Sequence, residues 1–191
     1  KRSDSLDVFF HKLTDRMEYL HATLVNSLID GTIEVQADKA IDLMVSWAKA
    51  DFIMQSTTIS QIKEMIKAGT FSSCYQGKGD ERAKCHWHAA QEAARYAGQF
   101  GINANLVKPY MNKNELAIIE KYFVSLYKKY IHPWYFLTGA GLKNINYGFY
   151  QMGHGAISVL AFAHWNNDKK LVSNTFKSTL RHINTLVLKD G

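Results

Sequence analysis

The sequence predicts an all-α protein, and three observations carry that expectation. Apolar residues recur at three- and four-residue steps along most of the chain, the spacing of one helix face. No segment sustains the period-two alternation of a half-buried strand. Only two prolines interrupt 191 residues. Helices of similar length joined as hairpins suit a bundle, a helical repeat array or an α/α toroid. No fixed-period repeat selects a repeat family. Residues 1–191 read as a single helical domain with enough chain for a real core.

Taken in order, Leu6, Phe9, Phe10, Leu13, Met17, Leu20, Leu24 and Leu28 mark a first helix of about seven turns. Ser3 or Asp4 suits its start and Gly31 its end. A second helix is expected from Asp38 to Met54, and a short third from Ile59 to Ala68, stopped by Gly69. Residues 70–82 read as the longest irregular stretch, a lid or ordinary surface. A fourth helix is expected from Lys84 to Phe100. A fifth runs from an Asn112 or Asn114 cap to Tyr130, with His132-Pro133 ending it. Trp134 to Leu142 reads as an aromatic connection. A helix then runs to Trp165, and Asp168 caps a last one through Leu171, Phe176, Leu180, Ile183 and Leu186.

The net charge of +6 and pI near 9.2 favour an anionic partner. The lysines are spread over many segments, so a nucleic-acid stripe is not expected. No run of apolar residues is long enough for a membrane span. The chain begins at Lys1 without an initiator Met, as a processed or excised form would. Cys74 and Cys85 are the only cysteines. A disulfide between them would stabilise by about 3 kcal/mol and place the protein in an oxidising compartment. Two free thiols are the alternative.

Between Lys143 and His154 the chain concentrates amide, phenol and imidazole groups beside the apolar run Ala156 to Ala163. If that stretch is helical, Asn146, Tyr150 and His154 share one face, and Tyr147, Gln151 and His154 a second. The alternative is a polar helix start bonded to its neighbours. There is no P-loop, dinucleotide fingerprint, nucleophile elbow or zinc-protease motif. Acidic residues do not cluster near the aromatic ones, which disfavours a two-carboxylate glycosidase. Asn, Tyr, His, Lys and Arg suit a reaction that binds a carboxylate and moves a proton. Uronate β-elimination needs that set: a donor neutralises the C6 carboxylate, a base takes the C5 proton, and an acid protonates the departing O4. It requires no metal and no cofactor.

Three blocks carry a family resemblance. Asp30-Gly31 followed by Ala40-Ile41-Asp42-Leu43-Met44-Val45-Ser46-Trp47-Ala48-Lys49-Ala50-Asp51 resembles a "DG … WL-x-x-WA-x-AD" helix. Trp87 to Phe100, then Ile118-Ile119-Glu120 and Phe123, is similar to the helix pair that follows it. Leu142-Lys143-Asn144-Ile145-Asn146 resembles the "LK-x-IN" that leads into an Asn-Asn-His motif. The family is the mannuronate (alginate) lyases, and the likeness covers residues 30–191. Asp168 to Gly191 also resembles the helix before its "DG-x-LP-x-E". The resemblance implies an incomplete α/α toroid around a cleft, β-elimination on an anionic polysaccharide, a monomer, and a periplasmic or secreted location.

It also implies site residues. Asn146 matches the carboxylate-neutralising amide. The histidine slot falls on Gly148, or on Tyr147 with a one-residue shift. Tyr147 is the preferred base, and His154, two turns on, the alternative. A phenol serves as base where nearby cations make it more acidic. The family's Arg and general-acid Tyr lie beyond the point where this chain stops, so a fragment is expected. On chemistry alone, Lys143 and Arg95 suit carboxylate binding. Trp87, Trp134 and Tyr135 suit sugar stacking, and Tyr150 and His88 complete the candidate set; aromatics at helical spacing also serve as core.

Overall fold

The computed structural model describes residues 2–56, 58–70, 87–135 and 149–187. These residues are all-helical, with no strand among them. Helix α1 spans Arg2–Ile29, α2 Ile33–Lys49, α3 Thr58–Lys67 and α4 Trp87–Val107. A short 3-10 turn at Lys108–Tyr110 follows. Then come α5 at Lys113–Leu126, a π turn at Tyr127–Ile131, α6 at His132–Tyr135, α7 at Phe149–Trp165 and α8 at Lys169–Val187.

Several boundaries differ from the sequence expectation, each for a physical reason. Ser3 and Asp4 stand inside α1, which begins at Arg2. Its other end follows the expectation: Gly31 takes φ 71° and Thr32 N–H donates to Ser27 O at 2.8 Å. Helix α2 starts at Ile33, five residues before Asp38, because Ile33 and Ala37 extend its buried face. It stops at Lys49 because Asp51 and Ile53 turn left-handed at φ 47° and 61°. Helix α4 runs past Gly101 to Val107, since that glycine serves packing rather than termination. A Cβ there would lie 2.1 Å from Phe123 Cζ.

Asn112 caps α5 with a full capping box, accepting from Asn114 N–H and Glu115 N–H while Glu115 accepts from Asn112 N–H. The helical path then continues through Pro133. His132 N–H donates to Tyr127 O, five residues back. This wider π turn lets Pro133 enter in the first turn of a new segment, where its missing N–H is tolerated. Asp168 Oδ1 caps α8 through Leu171 N–H at 2.9 Å.

One core joins the elements, with α4 at its centre against α1, α2, α5 and α7. Four alanines at 89, 90, 93 and 94 are buried on α4 and let neighbours approach closely. Helices α1 and α4 run parallel. Thr14 Oγ1 bonds Glu92 O at 3.2 Å, and Asn103 Nδ2 bonds Met17 O at 3.0 Å further along. Helix α7 also runs parallel to α4. Gly98 meets Ser158, Asn105 Nδ2 bonds Ala161 O at 2.9 Å, and Lys108 Nζ bonds Trp165 O at 2.8 Å. The α5–α6 segment runs the opposite way. Gly155 lies beside Trp134 and Tyr135, the Tyr127 ring stacks on Phe162 at 3.6 Å, and Phe123 meets Trp165 edge-on.

Candidate functional site

Those registers bring several of the described candidate positions to one end of the fold. Two parallel helices start, and one antiparallel path finishes, at the same pole of the fold. Trp87 and His88 begin α4 there, Phe149 and Tyr150 begin α7, and Tyr135 closes α6. Lys143, Asn146 and Tyr147 lie between Tyr135 and Phe149, outside the described residues, as do Cys74 and Cys85. His154 follows Tyr150 by four residues on α7, the spacing of one helix face. The described helix begins only at Phe149.

Three candidates have described side chains, and all three point to packing. Arg95 donates to both Glu92 oxygens at 3.0 and 3.1 Å and to Glu18 Oε1 at 2.6 Å. Its side chain is only 12% exposed, so the carboxylates it binds are the protein's own. It ties α1 to α4. Trp134 and Tyr135 are 1% and 5% exposed, with Gly155 against them. Neither ring offers an open face to a sugar in this arrangement. The pattern of aromatics at helical spacing reads here as core.

A second feature, beside the middle of α4, was not legible as a site in the sequence. The turn after α2 is clamped by side chains from the α5 path. Tyr122 Oη donates to Phe52 O, Tyr130 Oη to Ile53 O and Lys129 Nζ to Met54 O. The Phe52 ring stacks on Trp47 at 5.7 Å and contacts Phe9 and Tyr96. A left-handed, β-branched Ile53 costs about 1–3 kcal/mol and persists because these bonds hold it. Burial raises the pKa of Tyr96 and Tyr122, and pushes Tyr130 up to about 12. At neutral pH these phenols are donors, not bases.

His132 is the described imidazole one turn from Tyr135 at this pole. The ring is solvent-exposed, and its partial desolvation, then the neighbouring Lys63, lowers its pKa and keeps it neutral at neutral pH. The Tyr127 ring meets it edge-on at 5.6 Å. In the sequence His132 reads only as the residue before a helix-ending proline; the π turn, invisible to periodicity, keeps it in helical register. Among the described residues no group of three or more His, Cys, Asp or Glu is placed to hold a metal ion. Among them, too, no helix is long and apolar enough to cross a membrane. No family model, curated protein or solved structure matches the chain.

Proposed function

We propose that the protein is a polysaccharide lyase that cleaves a uronate-containing acidic polysaccharide, mannuronan-type alginate foremost, by β-elimination. One observation carries the reading. The starts of α4 and α7 and the end of α6 converge on one pole, and the chain between Tyr135 and Phe149 contains the Lys143–Tyr147 motif. The described residues that flank this stretch, Tyr135 and Phe149, both stand at that pole. The all-α architecture is compatible with an incomplete α/α toroid, and the net charge of +6 suits a polyanion.

In this mechanism Asn146 donates to the C6 carboxylate and delocalises its charge, which acidifies the C5 proton. Tyr147 takes that proton; His154 is the alternative base. The C5–H electron pair forms the C4=C5 double bond as the C4–O4 bond breaks, and a proton delivered to O4 completes the leaving group. Lys143 and Tyr150 bind flanking sugars. The protein acts as a monomer outside the cytoplasm.

The test is incubation with mannuronate-rich, guluronate-rich and glucuronate polymers, following the ultraviolet absorbance of the unsaturated product. Asn146→Ala is expected to abolish product formation with an unchanged circular dichroism spectrum. Full activity in that variant removes the central assignment. The second reading is a catalytically eroded glycan-binding module. It is favoured by Gly148 at the histidine slot and by Arg95 being held within the core. Retained binding with no product from any polymer selects it.

A further inference from the structure

We propose that the outward face of α8 is a docking track for the same class of anionic polysaccharide, separate from the pole where α4 and α7 begin; the choice of ligand rests on the lyase reading. Helix α8 carries Lys169, Lys170, Lys177 and Arg181 and no acidic residue over its 19 residues. Its inner face is settled by burial, with Thr175 enclosed and Leu171 packed on the core. Turned about a right angle away, Phe176 and Leu180 stand 56% and 52% exposed, one turn apart. Lys169 and Lys177 flank this apolar pair on the solvent side. The face leads at its N-terminal end into a hollow of about 210 Å³ lined by His164, Asn167 and Ser173, with Lys169 on both. Asp168 also lines the hollow, and its Oδ1 is engaged by Leu171 N–H in the helix cap.

Charge complementarity selects the occupant. An all-cationic helix face suits a chain with a carboxylate on each unit, and an exposed ring beside the cations suits the C–H face of a sugar. Two apolar side chains are too little area for insertion into a lipid surface. The path fits the function as well. Helix α8 rises ~28 Å over its 19 residues, antiparallel to α7, and so runs from the hollow back toward the pole where α7 begins. A polymer held along it is delivered to that pole, raising its local concentration there.

The experiment measures binding and turnover separately, on the full chain. Fluorescence anisotropy with labelled mannuronate-rich alginate is compared for the wild type, Lys169→Glu/Lys177→Glu and Phe176→Ser, with circular dichroism as the fold control. The charge-reversed variant is expected to bind alginate about tenfold more weakly and with a shallower salt dependence. Phe176→Ser is expected to weaken binding without altering that salt dependence. Product formation from a short oligomer that cannot span both sites is expected to stay at the wild-type rate. Wild-type alginate affinity in both variants overturns the inference, as does tighter wild-type binding to anionic phospholipid vesicles or duplex DNA than to alginate. Loss of affinity in the variants, with no product from any polymer, keeps the track and rejects the lyase. Product formation with unchanged affinity does the reverse.

Discussion

Gly98 on α4 and Ser158 on α7 meet so closely that a Cβ at position 98 would lie 1.9 Å from Ser158 Oγ and 2.7 Å from Ser158 Cβ. The contact sets how near the two parallel helices lie, and through them the pole where α4 and α7 start. Alanine is a better helix former than glycine by about 1 kcal/mol, so an open site would gain stability on Gly98→Ala. Here overpacking wins, and the variant is expected to lose about 1–3 kcal/mol in urea unfolding. Ser158→Gly in the same chain should recover most of that loss. A double-mutant cycle without coupling would show that the contact does not set the spacing.

The clamp on the turn after α2 gives a second expectation. Tyr122→Phe leaves the Phe52 carbonyl without its donor and is expected to cost about 1–2 kcal/mol. The pH dependence has a definite sign. Burial raises the folded-state pKa of Tyr96, Tyr122 and Tyr130 above the ordinary value of 10.0, so the unfolded chain loses these protons first. Their contribution is complete below pH 10.0 and is lost as pH rises beyond it. Thermal melts from neutral pH upward should show a falling Tm above that point, with a shallower fall in Tyr122→Phe.

Arg95 separates a packing role from a substrate-binding one. Arg95→Met leaves Glu92 buried without its guanidinium, and is expected to cost about 3 kcal/mol of stability. Because Arg95 engages the protein's own carboxylates, the KM for polymer should stay at the wild-type value in the folded fraction. A raised KM with unchanged Tm would return Arg95 to the substrate site.

His132 gives an acid-side expectation. Its folded-state pKa lies below the ordinary 6.5, so the unfolded chain binds the proton more readily. The contribution is complete above pH 6.5 and is lost as pH falls through it. His132→Gln should flatten the Tm profile in that window while leaving the alkaline fall intact. An unchanged acid profile would show that another group governs it.

Periodicity and capping made the helices legible one by one. Gly31, Gly69 and Asp168 end or begin helices as read, because the glycines act through their own backbone geometry and Asp168 through a side-chain cap three residues away. Two of the misread boundaries depend on partners further along the chain, and a third on a local turn that periodicity does not signal. Helix α4 reads as ending at Phe100 until the Phe123 ring is seen to need the missing side chain of Gly101. Met54 reads as helix until Lys129 is seen to hold its carbonyl. Pro133 reads as an end until the π turn is seen to absorb it. For the candidate site, the sequence supplied residue types and spacing but not burial. Arg95, Trp134 and Tyr135 have the right chemistry, and the fold encloses them.

The parallel docking of α1 on α4 also governs the order in which the chain assembles. Arg95 reaches a carboxylate 77 residues earlier, and Thr14 reaches a carbonyl 78 residues later. No local hairpin supplies these contacts. Among these helices α1 completes its packing only on α4, since α2 covers only part of its apolar face. The protein should therefore refold more slowly than a bundle of sequential hairpins of its length. Until α4 is in place, the apolar face of α1 is the surface among these helices most open to misassociation.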